Sequence, residues 1–197
     1  RTTNAGTTWT TQISGTSELL HSVSFTDLYS GTIVGSNGVI LRTTNAGITW
    51  DRQSSGTTSR LKAVSFIDEN NGTATGYEKI LRTTDAGANW TSIISGATNP
   101  LYSIYFTDSR NGTAVGNGGK ILRTTNAGIN WLVQSNGPAV YYSVCFIDSM
   151  FGIVAGRNGE ILKTTNAGTT WVQQLSGVTV NLRSVCLIDT SLGISVG

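Results

Sequence analysis

The sequence predicts an all-β chain folded as a five-bladed β-propeller of four-stranded blades, and three observations carry that reading. Five tryptophans, Trp9, Trp50, Trp90, Trp131 and Trp171, recur at spacings of 41, 40, 41 and 40. The same step is kept by a basic residue (Arg1, Arg42, Arg82, Arg123, Lys163), by an aspartate (Asp27, Asp68, Asp108, Asp148, Asp189) and by two glycines, such as Gly72 and Gly76. No stretch carries apolar residues at a sustained helical period. A module of about forty residues holding several short strands is the signature of a propeller blade.

The elements can be read in order from the second unit. Leu61–Ile67 (LKAVSFI) is apolar and β-branched and makes a first strand, which a turn around Asp68–Gly72 reverses. Gly72–Gly76 is the second strand. A short turn at Tyr77–Glu78 leads to the third, Lys79–Thr84, and the turn Asp85-Ala86-Gly87 leads to the fourth, Asn89–Ile94. The loop 95–100 then opens the next unit. One such sheet alone leaves both faces wet, and stacking units side by side buries them.

The chain starts late in a third strand and stops at the end of a second, so the two ends complement each other. The expected layout is a single domain over 1–197. Its blades cover 19–54, 60–95, 100–135 and 140–176, and a shared blade combines 181–197 with 1–14, closing the ring and hiding its edges. The alternative is a segment of a larger propeller, for example a seven-bladed one.

Composition narrows the function. Charged residues are 12% of the chain and the net charge is +2, which gives no electrostatic case for nucleic acid. No apolar run reaches the length of a membrane span, and no apolar leader opens the chain. Two cysteines and one histidine make no metal site of the usual kind, so no cofactor is expected. Cys145 and Cys186 occupy the same place in adjacent first strands and read as small buried side chains. A disulfide between them asks for too short a distance.

The segment Thr84-Asp85-Ala86-Gly87-Ala88-Asn89-Trp90 recurs in every unit. It resembles the Asp-box, or bacterial neuraminidase repeat, pattern S/T-x-D/N-x-G-x-T-W. The whole unit, with ILRTTNAGxxW and LxSVxFxD, resembles the photosystem II assembly or stability factor-like propellers and their bacterial surface relatives. The photosynthetic members of that family usually have seven blades. In this chain Asn stands for Asp in four of the five boxes. Near-identical units fit bacterial surface arrays, which implies an extracellular, cell-surface or periplasmic protein.

The boxes, Asn4, Asn45, Asp85, Asn126 and Asn166 with their tryptophans, read as structural turns: the Asx side chain closes the turn, Gly takes the special backbone angle and Trp covers the hairpin. The basic column, Arg1 to Lys163, reads as packing between units. A sialidase-like site needs an unsymmetrical set of catalytic groups and glycoside hydrolysis needs two placed carboxylates. Beyond the turn aspartates and Asp85 only Glu18, Asp51, Glu69, Glu78 and Glu160 are left, none in a catalytic context. His21 is the only histidine and no G-x-S-x-G elbow occurs, so nucleophile chemistry has no support.

Variation between units carries the candidate site. His21, Lys62, Tyr102, Tyr142 and Arg183 share one column near the start of each first strand. The first strand of a blade is innermost, so this column should ring one mouth of the channel. Arg60, Tyr141, Glu18, Asn99 and Asn181 precede it, and Tyr77, Glu78 and Arg157 lie in the turn after the second strand. Aromatic and basic side chains together suit protein or sugar recognition. The reading is a monomeric, non-catalytic scaffold for a protein partner, with a lectin-like propeller as the alternative and a glycosidase remnant last.

Overall fold

The computed structural model describes residues 1–96 and 98–197; residue 97, in the loop expected at 95–100, lies outside them. Four antiparallel four-stranded sheets follow one another. The first holds β1 (Leu20–Phe25), β2 (Gly31–Gly35), β3 (Ile40–Thr43) and β4 (Asp51–Gln53). The second holds β5 (Leu61–Phe66), β6 (Gly72–Gly76), β7 (Ile80–Thr83) and β8 (Thr91–Ile93). The third holds β9 (Leu101–Phe106), β10 (Gly112–Gly116), β11 (Ile121–Thr124) and β12 (Leu132–Ser135). The fourth holds β13 (Tyr141–Phe146), β14 (Gly152–Gly156), β15 (Ile161–Thr164) and β16 (Val172–Gln174), and a hairpin of β17 (Ser184–Leu187) and β18 (Gly193–Val196) follows. The strand order predicted from the repeat is the observed one, and the blades are those of a β-propeller.

The core lies between the blades. Val34 and Ile40 of the first blade pack with Leu61, Val64, Ala74 and Leu81 of the second. Ala63 and Ile80 join Leu101, Ile104, Ala114 and Leu122 of the third, and Val115 and Ile121 join Val144, Val154 and Leu162 of the fourth. Ala155 packs with Leu182 and Val185 of the hairpin. Burial of apolar area therefore rewards stacking more than sheet formation.

First strands line up along the inner side, β1 against β5, β5 against β9, β9 against β13 and β13 against β17. Each is the edge of its sheet and carries amides with no ladder partner. The preceding blade supplies acceptors: Ser22 Oγ accepts from Val64 N (3.2 Å), Ser24 Oγ from Phe66 N (3.1 Å), Ser103 Oγ from Val144 N (3.3 Å) and Ser143 Oγ from Val185 N (3.2 Å). The basic column also reaches the next blade, where it meets backbone carbonyls and an aromatic ring. Arg82 Nε donates to Ala127 O (2.7 Å), Lys163 Nζ to Thr190 O (3.4 Å), and Arg42 lies 5.7 Å over the Phe66 ring.

The box turns are built as the residue types require. Thr43 Oγ1 donates to Asn45 Oδ1 and accepts from Gly47 N, both at 2.9 Å, while Asn45 Oδ1 accepts from Thr49 N at 3.0 Å. Ala46 and Gly47 both take left-handed backbone, with φ of 61° and 82°. The Ala46 amide then donates to Tyr29 O (2.8 Å), and Ala86, Ala127 and Ala167 do the same to Asn70, Arg110 and Met150. Each box is thereby tied to the aspartate turn of its own blade. Trp50, Trp90, Trp131 and Trp171 meet Phe25, Phe66, Phe106 and Phe146 edge to face, with centroids 6.0 to 6.3 Å apart.

The expected closure of the ring is not formed. Among the described residues, 1–19 contribute no strand, and β17 and β18 stand as a two-stranded sheet. The box at Asn4 and Trp9 lies at the other end of the arc, where Arg1, Thr3 and Trp9 line a cavity of about 710 Å³ with Leu20, Val23, Phe25 and Trp50 of the first blade. The physical reason is pairing: the segment holding Arg1 and Trp9 lies against the first blade and forms no ladder with β18, so both end faces stay open. Val23 is accordingly 56% exposed where its counterpart Val64 is 6% exposed, and Ile194 on the hairpin is 57% exposed. The alternative layout, a segment of a larger propeller, is the one that four complete blades and an unpaired hairpin fit.

Two outcomes follow from this packing. Thr75 is fully buried and its Oγ1 has no hydrogen-bond partner, while Val34, Val115 and Ala155 hold the matching positions. Thr75→Val should raise stability by about 1 kcal/mol in urea unfolding, because an unsatisfied hydroxyl leaves an apolar cluster; a loss of stability would refute the hydroxyl's orphan status. The second outcome concerns pH. Backbone hydrogen bonds from Tyr29 and Ser30 hold the Asp27 carboxyl below its ordinary value. The Asn89 side chain and amide, with Thr83, do the same for Asp85, and the Ser191 side chain with the Ser191 and Leu192 amides for Asp189. A carboxylate with a depressed folded value stabilises fully above its unfolded value and loses that contribution as pH falls through the folded one. Thermal midpoints should be level above about pH 5 and fall below about pH 4, and a midpoint unchanged down to about pH 3 would contradict it.

Candidate partner-binding face

The candidate column has a backbone cause. In β5 Leu61 pairs with Gly76 and Ala63 with Thr75, which leaves Lys62 as an extra residue. His21, Tyr102 and Tyr142 are the extra residues of β1, β9 and β13 in the same way. A bulge of this kind re-aims one side chain. Leu61 goes fully into the core, and the next residue projects half-buried at the inner rim. The sequence held a signal for it. Leu61 and Val64 are both buried yet stand three apart, a parity that strict strand alternation forbids.

The two loop sets do emerge together. The chain entering each first strand is held to the turn after the second strand by one backbone hydrogen bond. Ser36 N donates to Leu19 O (2.8 Å), Tyr77 N to Arg60 O (2.9 Å), Asn117 N to Pro100 O (2.8 Å) and Arg157 N to Val140 O (2.8 Å). Side chains add to this: Asn37 Nδ2 donates to Glu18 Oε1 (2.9 Å), and Asn158 N to Asn181 Oδ1 (3.2 Å). Asn99 reaches toward Gly118. Glu78 holds left-handed backbone with φ of 56°, as do Asn37 and Asn158 at the matching positions. Asn tolerates that region, whereas for Glu it costs about 1 kcal/mol.

The structure brings Tyr102, Tyr142 and Arg183 of the column into contact. His21 Nε2 lies 3.2 Å from Ser36 Oγ, a partner outside the column. Arg60 stacks 5.5 Å over the Tyr77 ring. Tyr102 and Tyr142 meet with centroids 5.8 Å apart, and the Arg183 guanidinium lies 4.4 Å over Tyr142. Burial lowers the His21 value, with Lys62 and Arg60 adding repulsion, and burial with Arg60 lowers Lys62. Burial pushes the Tyr102 phenol up, and the neighbouring Tyr77 and Tyr142 phenols push it further. The result is a ladder of rings flanked by cations.

Tyr141 does not belong to this face. It is 5% exposed and fills the position held by Leu61 and Leu101, packed with Val115 and Ile121. Burial there, with Glu160 nearby, pushes its phenol up to about 12. Tyr77, Glu78, Arg60, Arg157 and Arg183 are exposed at the rim. No group of three or more His, Cys, Asp or Glu able to hold a metal occurs among the described residues, and no helix there is long and apolar enough to cross a membrane.

Comparison with known proteins gives the same architecture. The family model for the Photosynthesis system II assembly factor YCF48 matches residues 1–140. A solved YCF48 bound to D1 peptide superposes with a TM-score of 0.71 at 22% identity, over 88% of this chain and 59% of that one. The chain thus spans less than two thirds of that relative's length. YCF48 from Cyanidioschyzon merolae gives 0.53 at 16% identity over 90% of this chain and 92% of that one. A GH74 xyloglucanase from Xanthomonas campestris gives 0.68 at 13% identity over 85% of this chain and 33% of that one, a likeness of fold alone. No curated protein matches the sequence.

The crowding of cations around His21 can be checked directly. An NMR titration should place its midpoint below the usual 6.5, and Lys62→Ala should move it upward. A midpoint indifferent to Lys62 would separate the two residues.

Proposed function

The chain belongs to the photosynthesis system II assembly factor YCF48 family, and on that premise we propose a non-catalytic scaffold that binds an extended protein segment across Lys62, Tyr102, Tyr142 and Arg183. The observation that carries the proposal is the row of contacts: Tyr102 against Tyr142 with the rings tilted by 39°, and Arg183 over Tyr142 at 4.4 Å. Packed rings with a guanidinium bury much area at little entropic cost, which is the chemistry of interface anchors. The peptide held by the solved YCF48 supports a partner of that kind.

A sugar-binding reading would need room at the blade junctions. The spaces beside Arg82 and Arg123 hold only about 0 and 10 Å³, so a sugar would have to sit elsewhere, as in the cavity of about 710 Å³ at Trp9 and Trp50. Export or surface display is part of the proposal and rests on the likeness of the near-identical units to bacterial surface arrays. Protease accessibility on intact cells tests it.

D1 peptide serves as the probe for binding. Tyr102→Ala with Tyr142→Ala should weaken it by about tenfold or more with little change in thermal midpoint. Equal affinity of the variant rejects the face. Absence of binding to the unaltered chain rejects this peptide as the partner class, and a glycan array with hits would move the assignment to sugars.

A further inference from the structure

Cys145 and Cys186 lie in the same column of neighbouring inner strands, β13 and β17. The sequence argued that matching positions in adjacent blades stand wrongly spaced for a bond. The inner edge of the arc differs from the rim, because strands there crowd together. Cys145 Sγ accepts the Leu187 amide at 3.4 Å, an atom two bonds from the Cys186 Cα. One pair earlier on the same strands Ser143 Oγ accepts from Val185 N at 3.2 Å, so β13 and β17 run side by side through both cysteines. Both thiols are free; Cys186 is exposed and Cys145 is half-buried.

We propose that Cys145 and Cys186 form a redox-sensitive staple, closing to a disulfide between the fourth blade and the β17–β18 hairpin when a low-molecular-weight disulfide is present. Cys186 is the entry point, since it is exposed, and burial pushes the Cys145 thiol up. The Cys186 thiolate attacks one sulfur of the small disulfide and expels the other half as a thiol. The Cys145 thiol loses its proton to solvent, attacks the Cys186 sulfur of the mixed disulfide and expels the second thiol. The protein dithiol is oxidised and the small disulfide is reduced to two thiols, so electrons and protons balance.

The staple has a target that needs it. The hairpin packs on the fourth blade through Leu182 and Val185, while Ile194 and Val196 remain exposed. A covalent tie to β13 removes the freedom of the hairpin to peel away.

The test uses the whole chain and oxidised glutathione. Intact mass should fall by two hydrogens, and proteolysis should yield one linked peptide containing both cysteines. In Cys145→Ser the reaction should stop as a glutathione adduct on Cys186. Hydrogen exchange across β17 and β18 should slow by about tenfold or more in the oxidised chain. A stable adduct on Cys186 of the unaltered chain, with Cys145 still open to alkylation, overturns the staple. Disulfide formation with no slowing of exchange overturns its effect on the hairpin.

Discussion

The structure depends on one burial event repeated at every junction: the apolar face of one four-stranded sheet closes on the next. Every buried cluster among the described residues draws on two neighbouring units. Val34 needs Val64, Ala63 needs Ile104, and Val115 needs Val144. Because each contact joins neighbours only, the interactions are close to one-dimensional, and a face without a neighbour stays exposed, as Val23 and Ile194 show. Polar groups follow the same rule. Edge amides on the inner strands are satisfied by hydroxyls from the blade before, so hydrogen bonding and burial favour the same stacking.

The repeated turns divide the work differently. Box and aspartate turn clamp one another inside a blade, through Thr43, Asn45 and the Ala46 amide on Tyr29. Their hydrogen bonds are local and use nearly the whole capacity of the Asx side chains. That leaves the boxes with little to offer a ligand, and it places the variable chemistry at the opposite, inner edge.

Much of this was legible in the sequence, because a repeat reports its framework by what stays constant. The four strands of each unit, the box turns and the meeting of Tyr102, Tyr142 and Arg183 on one rim all follow from columns in register. What escaped was the pairing of the ends: matching columns in 1–14 and 181–197 promise one blade, yet a shared register does not by itself bring two segments together, and β17 and β18 stand without them. Tyr141 escaped because it stands where Leu stands elsewhere, and an aromatic in a leucine slot looks exposed when the bulge beside it is unseen. His21 on Ser36 escaped because the partners are fifteen residues apart and only the fold unites them.

The bulge has a consequence for how such a chain can change. Its extra residue belongs to neither ladder nor core, so neither register nor packing constrains what stands there. Each of the four complete blades therefore offers one free letter, set on the same rim as those of its neighbours. A lineage could rewrite the whole word, from His21 through Tyr142, by substitutions that leave the architecture beneath it in place.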